Sequence, residues 1–366
     1  MKILILWADD RSPNLGVRVL GAGTEALARR VWPEAAFTFY NYGARTAPIQ
    51  LGSPKKLLRE AVTRRAGLAA WFAGFDLVLD TRSGDSFADI YGMPRLLAMS
   101  GTTELAHRAG VPVVLVPQTI GPFGSRRTRA LARRSLRTAT LVMARDSISA
   151  RASAELRRPV DVLATDVVFA LDQPEVAKTR DVVLNVSGLL WQPGPHVDAA
   201  AYRRTVAEVY DTLRASGRTV SLLPHVLRAD NPDDDGPAVA EFQAAHAPEA
   251  EILDPRSLEE ARELLASASL VIGSRMHACP NALSVGTPAV PLAYSRKFAP
   301  LMADLGWEHV LDLRDPDVDV AREVSALAAR PGLVDEVAEL NARAATSLDK
   351  ASTALAERFG DRVPTA

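Results

Sequence analysis

Residues Val271–Lys297, VIGSRMHACPNALSVGTPAVPLAYSRK, place one segment of helical spacing between two apolar runs. We expect strands over Leu270–Gly273 and Ala289–Leu292, with a helix over His277–Val285 between them. The Gly286–Pro288 turn is typical of a chain that leaves a helix and enters a strand. Strand, helix and strand in this order predict a βαβ unit, in which the two strands run parallel.

The same alternation fills the first half of the chain. Strands are expected at Lys2–Trp7, Asp76–Asp80 and Pro112–Pro117, and segments with helical spacing separate them. The alternation breaks at Asp172–Glu175, a polar stretch with a proline that is typical of a linker. We therefore predict a first domain over residues 1–175.

The alternation then restarts with a strand at Asp181–Val186 and a long helix at Ala199–Ala215. We predict a second domain over residues 176–333. Residues 334–366 are predicted to form a C-terminal helix that crosses back to the first domain. Alternating strands and helices indicate parallel sheets covered on both faces. The expected fold class is therefore α/β, with two Rossmann-like domains facing a cleft.

Composition excludes several classes of protein. The chain has 43 Lys and Arg against 44 Asp and Glu, a net charge of −1, which argues against binding nucleic acid through bulk electrostatics. The single cysteine, Cys279, excludes an intramolecular disulfide and a zinc site of several thiolates, and we expect it to be a small buried residue. No stretch approaches the ~20 apolar residues of a membrane-spanning helix. We expect a cytoplasmic protein with at most peripheral membrane contact.

Cationic and polar residues surround the start of the helix in the opening segment. Arg275 offers a planar fork for a carboxylate or phosphate, and His277 can change its charge near neutral pH. A helix N-terminus also attracts anions. Ser274 ends the preceding strand, and Lys297 follows the next strand at the same edge of the sheet. The segment therefore predicts an anion-binding site.

This segment resembles the C-terminal signature of the polysaccharide pyruvyl transferase family: G-x-R-x-H, an alanine-rich helix, G-x-P, an apolar strand and Y-x-x-K. Other segments resemble further elements of the family in the expected order, over about residues 1–312: Asn14–Gly16, Thr119–Phe123, Ala144–Ser149 and Ala164–Phe169. The resemblance implies a glycosyltransferase-B-like fold. It also implies transfer of a pyruvyl group from phosphoenolpyruvate to sugar hydroxyls as a ketal, a reaction that requires no metal or redox cofactor.

Phosphoenolpyruvate carries a carboxylate and a phosphate and so needs at least two cationic anchors. Arg275 is expected to supply one, and Arg145, at the end of a strand in the first domain, the other across the cleft. His277 is assigned protonation of the methylene carbon, the work of a general acid. Asp85, which follows the strand at Asp76–Asp80, is the candidate for binding the acceptor sugar or for acting as general base.

Three more polar residues follow strands of the second domain. Asn185 and Ser187 are expected to donate hydrogen bonds to the donor substrate, and His225 to contact phosphate or to help activate a hydroxyl. The family often places a basic residue near Ser187, and this chain has none there. The Asp233–Asp235 run lies between a proline and a glycine and is expected to be a solvated loop.

Two other functions are compatible with the predicted fold class. A nucleotide-sugar glycosyltransferase of the same fold would need a carboxylate that grips the ribose, whereas the cations here favour a compact dianion. A non-catalytic sugar-binding protein would have no reason to keep Arg275 and His277 together. The expected partners are therefore phosphoenolpyruvate and a saccharide acceptor, free or lipid-linked, and not nucleic acid.

Overall fold

In the computed structural model of the chain, residues 1–295 and 298–360 are described. The strands are β1 (Lys2–Leu6), β2 (Ala36–Tyr40), β3 (Leu77–Asp80), β4 (Val113–Leu115), β5 (Leu141–Ala144), β6 (Val162–Leu163), β7 (Arg180–Asn185), β8 (Val220–Leu222), β9 (Ala268–Gly273), β10 (Ala289–Ala293) and β11 (Leu311–Asp312). The helices are α1 (Leu15–Arg29), α2 (Pro54–Thr63), α3 (Leu68–Phe72), α4 (Met93–Arg108), α5 (Arg126–Thr138), α6 (Ser147–Glu155), α7 (Gly188–Trp191), α8 (Ala199–Ala215), α9 (Asp235–His246), α10 (Leu258–Ala266), α11 (Ala278–Ser284), α12 (Phe298–Asp304), α13 (Val320–Ala328) and α14 (Leu333–Phe359).

The chain divides into two compact units, and each is built from separated segments. The first unit comprises Met1–Asp10, Leu20–Ala170 and the chain from Ala344 onward. The second comprises Arg11–Val19 and Leu171–Arg343. The segment Arg11–Val19 therefore belongs with the second unit, although it follows the first strand in sequence.

The first unit is built on a six-stranded sheet in the order β2-β1-β3-β4-β5-β6, and all of its pairings are parallel. Every residue of the central strands β3, β4 and β5 is buried. Continuous burial of this kind requires uniformly apolar runs such as Val113–Leu115, because helices cover both faces of a parallel sheet.

The second unit contains a five-stranded parallel sheet in the order β11-β10-β9-β7-β8. Strands β7 and β9 are neighbours, and Asn185 at the end of β7 pairs with Gly273 at the end of β9. Strand β8 flanks β7 on its other side. The residues that leave these three strands therefore emerge together at the carboxyl edge of the sheet, where ligands bind in open α/β folds.

The predicted alternation of strands and helices is confirmed, and the differences are local. The apolar spacing of Leu57–Phe72 predicts a helix over that range, but Arg64 and Gly67 adopt left-handed conformations and separate α2 from α3. Left-handed residues end helices because they cannot continue the hydrogen-bond ladder. The short apolar run Glu251–Leu253 predicts a strand, and the structure has an isolated bridge from Leu222 to Ile252 there.

Candidate functional site

Arg275 follows β9 and is held by two carboxylates. Its Nε and Nη2 donate to Asp235 Oδ1 at 3.0 and 2.8 Å, and its Nη1 donates to Asp233 Oδ1 at 2.7 Å. Nη2 also donates to the carbonyl of Asp233. Burial by itself would lower the pKa of Arg275, but Asp235 and Asp233 outweigh burial and hold that pKa above its usual range. Arg275 is therefore a permanent cation in a fixed orientation.

The two aspartates differ in their exposure to solvent. The side chain of Asp235 is fully buried, whereas that of Asp233 is 37% exposed. The run Asp233–Asp235 was expected to be a solvated loop, and for Asp235 that expectation is wrong. Asp235 begins α9, and its carboxylate accepts hydrogen bonds from the backbone N–H groups of Gly188, His225 and Val226. Asp235 is therefore held in place by three backbone donors and by the Arg275 guanidinium.

Glycine is required at position 188 by this packing. An ideal Cβ on Gly188 would lie 2.0 Å from the carbonyl oxygen of Asp234. The bare backbone of Gly188 instead comes close enough for its N–H to reach Asp235 Oδ1 at 2.7 Å. The backbone of Gly188 is thus used to bind Asp235.

Asn185 and Ser274 lie at the ends of β7 and β9, and both are fully buried. The Asn185 amide donates to the carbonyl of Leu223 at 2.9 Å and accepts from the Arg275 N–H at 2.8 Å. Tyr202 donates to Ser274 Oγ at 2.9 Å. These contacts hold the strand ends and the Arg275 backbone in place. Burial thus favours a positioning role for both residues over the direct substrate contacts that the sequence predicts.

Ser187 is fully buried as well, and its N–H donates to the oxygen of Tyr202 at 2.9 Å. Its Oγ has no hydrogen-bond partner among the described residues. Through Tyr202, Ser187 is therefore linked to Ser274 on the neighbouring strand end. The direct donor contact expected for Ser187 would require this group to become accessible.

His225 follows β8 and is 1% exposed. Burial first, and then the nearby His277 and Arg275, lower the pKa of His225 to about 3. The Asn281 amide lies 3.3 Å from His225 Nε2, and the Asn281 oxygen accepts from Arg262 at 3.2 Å. This arrangement orients the Asn281 amide nitrogen towards the ring, so His225 Nε2 accepts and the ring is neutral. A neutral, buried His225 suits a positioning role better than the phosphate contact expected from the sequence.

His277 is partly buried and stands immediately before α11 as its N-cap residue. Its ring lies against the first turn of α1: an ideal Cβ on Gly16 would be 2.7 Å from His277 Nδ1. Asn14, which precedes the helix, accepts the Gly16 N–H at 2.9 Å and also forms a bridge with Val226. The Asn14-Leu15-Gly16 motif thus has a physical reason, because only glycine leaves room for the His277 ring.

The first unit has its own buried arginine after a strand. Arg145 follows β5, donates to Asp166 Oδ2 at 2.7 Å and donates to Thr119 Oγ1 at 3.0 Å. Both side chains of the Arg145–Asp166 pair are 1% exposed. Strands β5 and β6 are neighbours, which brings Arg145 close to the segment that follows β6 and contains Asp166.

Asp85 lies in the loop after β3 and is partly exposed. Tyr91 donates to its Oδ2 at 2.6 Å. The loop leaves the strand through three consecutive residues with positive φ, Arg82, Ser83 and Gly84. Such conformations are costly for residues other than glycine and concentrate at functional sites. Asp85 therefore stands on a tightly specified turn at the carboxyl edge of the first sheet.

Lys297, predicted to add positive charge beside Arg275, lies outside the described residues. Cys279 is buried in α11, as expected, and burial raises the pKa of its thiol. Within residues 1–295 and 298–360, no three His, Cys, Asp or Glu side chains are grouped in a way that could hold a metal ion. None of the helices in this part of the chain is long and apolar enough to cross a bilayer.

Sequence patterns do not identify Asp233, Asp235 and Tyr202 as parts of this site. The acidic run was visible, but its partner Arg275 lies 40 residues further along the chain from Asp235. Tyr202 lies inside the long helix α8 and carries no local motif. Only the pairing order of β7, β8 and β9 brings these residues together.

A family profile and a sequence relative each match about three quarters of this chain. The profile described as "Polysaccharide pyruvyl transferase" matches residues 14–296. The amylovoran biosynthesis protein AmsJ of Erwinia amylovora is 23% identical over 297 residues, which cover 75% of this chain and 69% of AmsJ.

Among solved structures, a putative UDP-N-acetylglucosamine 2-epimerase from Listeria monocytogenes has a TM-score of 0.63 at 11% identity, with 98% of this chain and 97% of the other covered. HepE of Anabaena, solved in complex with UDP and glucose, has a TM-score of 0.54 at 14% identity, with 99% and 100% covered. A glycotransferase of kitacinnamycin has a TM-score of 0.53 at 16% identity, with 98% of each chain covered. At these identities the likeness shows the fold alone, which is glycosyltransferase-B-like. From the match over most of its length, the chain belongs to the polysaccharide pyruvyl transferase family and is a transferase of polysaccharide biosynthesis.

Proposed function

We propose that this transferase moves the pyruvyl group of phosphoenolpyruvate onto two hydroxyls of one sugar in a polysaccharide precursor. The observation that carries the proposal is the fixed Arg275 cation with a partly buried imidazole, His277, two residues away. Phosphoenolpyruvate combines two anionic groups with an enol carbon that must be protonated. A permanent cation and a titratable ring meet those two needs.

Arg275 is proposed to bind the donor by exchanging one carboxylate for another. Asp235 is fully buried and stays in place, whereas Asp233 is 37% exposed. A donor carboxylate or phosphate would take the position of the Asp233 carboxylate at Nη1, which lies 2.7 Å away in the free protein. Arg145, oriented by Asp166 and Thr119, is proposed as the second cationic anchor.

The chemistry then balances without a cofactor. A proton from His277 adds to the methylene carbon, one sugar hydroxyl attacks C2, and phosphate leaves with the C2–O bond pair. A second hydroxyl attacks C2 and closes the ketal. One hydroxyl proton returns to His277, and the other leaves with the phosphate. Asp85 is proposed to bind the acceptor or to remove a hydroxyl proton, with Tyr91 fixing its carboxylate.

A calorimetric titration separates this proposal from a nucleotide-sugar glycosyltransferase. We expect phosphoenolpyruvate to bind and a panel of nucleotide sugars not to bind. A phosphoenolpyruvate concentration of about 100 times the dissociation constant should also stabilise the fold, because it raises the free energy of unfolding by roughly 2.7 kcal/mol. Binding of a nucleotide sugar with no response to phosphoenolpyruvate would overturn the proposal in favour of the glycosyltransferase.

Steady-state kinetics of His277→Gln test the role of the ring. If His277 is the general acid, kcat should fall by ~10²–10⁴-fold while KM for phosphoenolpyruvate changes little. The matched control is His107→Gln, the same change at an exposed histidine of α4, which should leave both constants unchanged. A His277→Gln variant that folds normally and keeps kcat within a few-fold of wild type would end the assignment.

A further inference from the structure

The helices α2, α4 and α5 of the first unit enclose an apolar groove of about 430 Å³. It is lined mainly by leucines and small residues, among them Leu57, Leu58, Ala61, Leu97, Leu105 and Leu131. Leu58 is 69% exposed, and Val62, one turn further along α2, is 77% exposed. Leu58 lines the groove and Val62 lies one turn away, so the two side chains form exposed apolar surface beside it, and contiguous apolar surface marks binding sites.

Basic residues are concentrated on two of the helices that form the groove, and Lys55 and Arg134 line it directly. Five lie in or just after α2, and six lie on α5: Lys55, Lys56, Arg59, Arg64 and Arg65, and Arg126, Arg127, Arg129, Arg133, Arg134 and Arg137. The helix α5 contains no acidic residue. Because the whole chain has a net charge of −1, this concentration of positive charge is a local feature and not a general one.

The acidic residues of these helices already have partners. Glu60 is buried and accepts from the backbone N–H groups of Ala66 and Leu68. Glu104 accepts from Arg134 and Arg108, each at 2.9 Å. Hydrogen bonding from Arg134 is the main cause that lowers the pKa of Glu104 to about 2. Neither carboxylate is therefore available to repel an approaching anionic surface.

We propose that this α2–α4–α5 groove docks the protein on an anionic phospholipid bilayer. Exposed aliphatic side chains flanked by lysines and arginines are the pattern that binds the bilayer interface: the apolar side chains enter the acyl boundary and the cations meet the phosphates. The groove has the apolar lining that an acyl chain needs. Nucleic acid would instead call for aromatic side chains on which bases stack, and the groove lining contains none.

The docking does not depend on the identity of the donor. It would place the enzyme beside membrane-bound precursors, and it goes beyond the transfer reaction itself. Activity on a water-soluble acceptor should not need the groove, so variants of the groove separate this inference from the proposed function.

Co-sedimentation of the full chain with vesicles tests the inference. We expect binding to phosphatidylcholine vesicles that contain phosphatidylglycerol, little binding to phosphatidylcholine alone, and weakening as salt is added. The charge-reversal variant Lys55→Glu/Arg59→Glu and the apolar variant Leu58→Ser/Val62→Ser should each reduce binding at least tenfold. All four side chains are exposed, so the fold should survive, and thermal melting checks this.

The matched control is Arg204→Glu/Val334→Ser, which changes an exposed arginine and a 60% exposed valine of the second unit. It should sediment with anionic vesicles like the wild type. Equal binding by the groove variants and the control would overturn the inference, as would equal binding to neutral and anionic vesicles. Release from the vesicles by a single-stranded oligonucleotide, at a charge concentration equal to that of the lipid, would also overturn it in favour of nucleic acid.

Discussion

Each unit of the molecule keeps a buried arginine just after a strand of its parallel sheet, and the two arginines are neutralised differently. Arg145 is paired with Asp166, and both side chains are 1% exposed. Arg275 is paired with the buried Asp235 and also with Asp233, whose side chain is 37% exposed.

This difference separates a carboxylate that orients its arginine from a carboxylate that a ligand can replace. A carboxylate that is buried with its arginine fixes the orientation of the guanidinium but cannot be replaced without unfolding part of the unit. An exposed carboxylate on the same arginine can be replaced by a ligand of similar charge. We therefore propose that the second unit has a fixed half, Asp235, and an exchangeable half, Asp233, at one cation, Arg275.

We expect the largest change in stability when Asp235, the buried partner of Arg275, is removed. Asp235→Ala leaves a buried guanidinium and three backbone N–H groups without their acceptor, and should lower the free energy of unfolding by about 3–5 kcal/mol. Asp166→Ala should have an effect of similar size in the first unit. Urea unfolding of both variants measures this, and a loss below about 1 kcal/mol for Asp235→Ala would show that Asp235 is not the fixed half.

Arg275→Lys should weaken donor binding next most. A lysine can donate to one partner as a point charge but cannot hold Asp235 and the donor with one planar group. Losing a charged hydrogen bond of about 1.5–3 kcal/mol raises the dissociation constant of phosphoenolpyruvate tenfold or more. Calorimetry gives that constant directly. An unchanged constant would place the anion elsewhere in the molecule.

Gly16→Ala should disturb the imidazole beside this cation. The new methyl group would lie 2.7 Å from His277 Nδ1, so the ring or the first turn of α1 must shift, at about 1–3 kcal/mol for overpacking. We expect kcat to fall roughly tenfold with little change in donor affinity. The control is Gly101→Ala in α4, where the nearest atom would be 3.5 Å away and both activity and stability should be retained. If Gly16→Ala and Gly101→Ala have the same kcat, the close approach of Gly16 to His277 does not contribute to activity.

At low pH, the proton affinity of His225 in the unfolded chain should destabilise the second unit. Its pKa is about 3 in the folded protein against an ordinary value of 6.5, so between those values the unfolded chain binds the proton and the folded chain does not. The free energy of unfolding must then rise with pH across this window, by up to about 1.4 kcal/mol per pH unit for one group. Unfolding midpoints of the wild type and of His225→Gln, measured from pH 6.5 down to 4, should show a shallower slope for the variant. Parallel slopes would contradict the buried, neutral ring.

The smallest effect concerns the exchangeable half. Asp233→Asn removes a negative charge that competes with the donor at Arg275, so the dissociation constant of phosphoenolpyruvate should fall by about three- to tenfold, or roughly 1 kcal/mol. Because Asp233 is partly exposed, stability should change little. Asp166→Asn, the matched change at the other arginine, should tighten donor binding less, because Asp166 is buried and orients Arg145 without occupying the place of the donor. Weaker binding in Asp233→Asn would mean that Asp233 positions Arg275 for the donor and does not compete with it.

Much of the fold could be predicted from the sequence because buried parallel strands need continuous apolar runs. Such runs occur at Leu141–Ala144 and Val182–Leu184, where the apolar composition alone predicts a buried strand. The break between α2 and α3 carried a weaker signal, because Arg64 takes a left-handed conformation that its sequence does not demand. Local backbone choices of this kind depend on what the segment packs against.

The candidate site was predictable to a smaller extent. Arg275 and His277 stand in a recognisable local pattern, whereas the partner Asp235 lies in a polar run that has every sign of a solvated loop. Its burial depends on Gly188 and on the order of β7, β8 and β9, and neither follows from the run itself. Sequence patterns therefore locate a functional side chain more readily than the residues that orient it.

The division of the chain into interleaved segments has a consequence for protein engineering. The first unit includes the chain from Ala344 onward, and the second includes Arg11–Val19. In the last helix, Leu348, Ala351, Leu355 and Phe359 are all buried. A chimera meant to exchange the first unit between two such enzymes must carry over the last turns of α14 together with residues 20–170, and must leave residues 11–19 with the second unit. A single crossover near residue 171 would combine mismatched pieces of both halves.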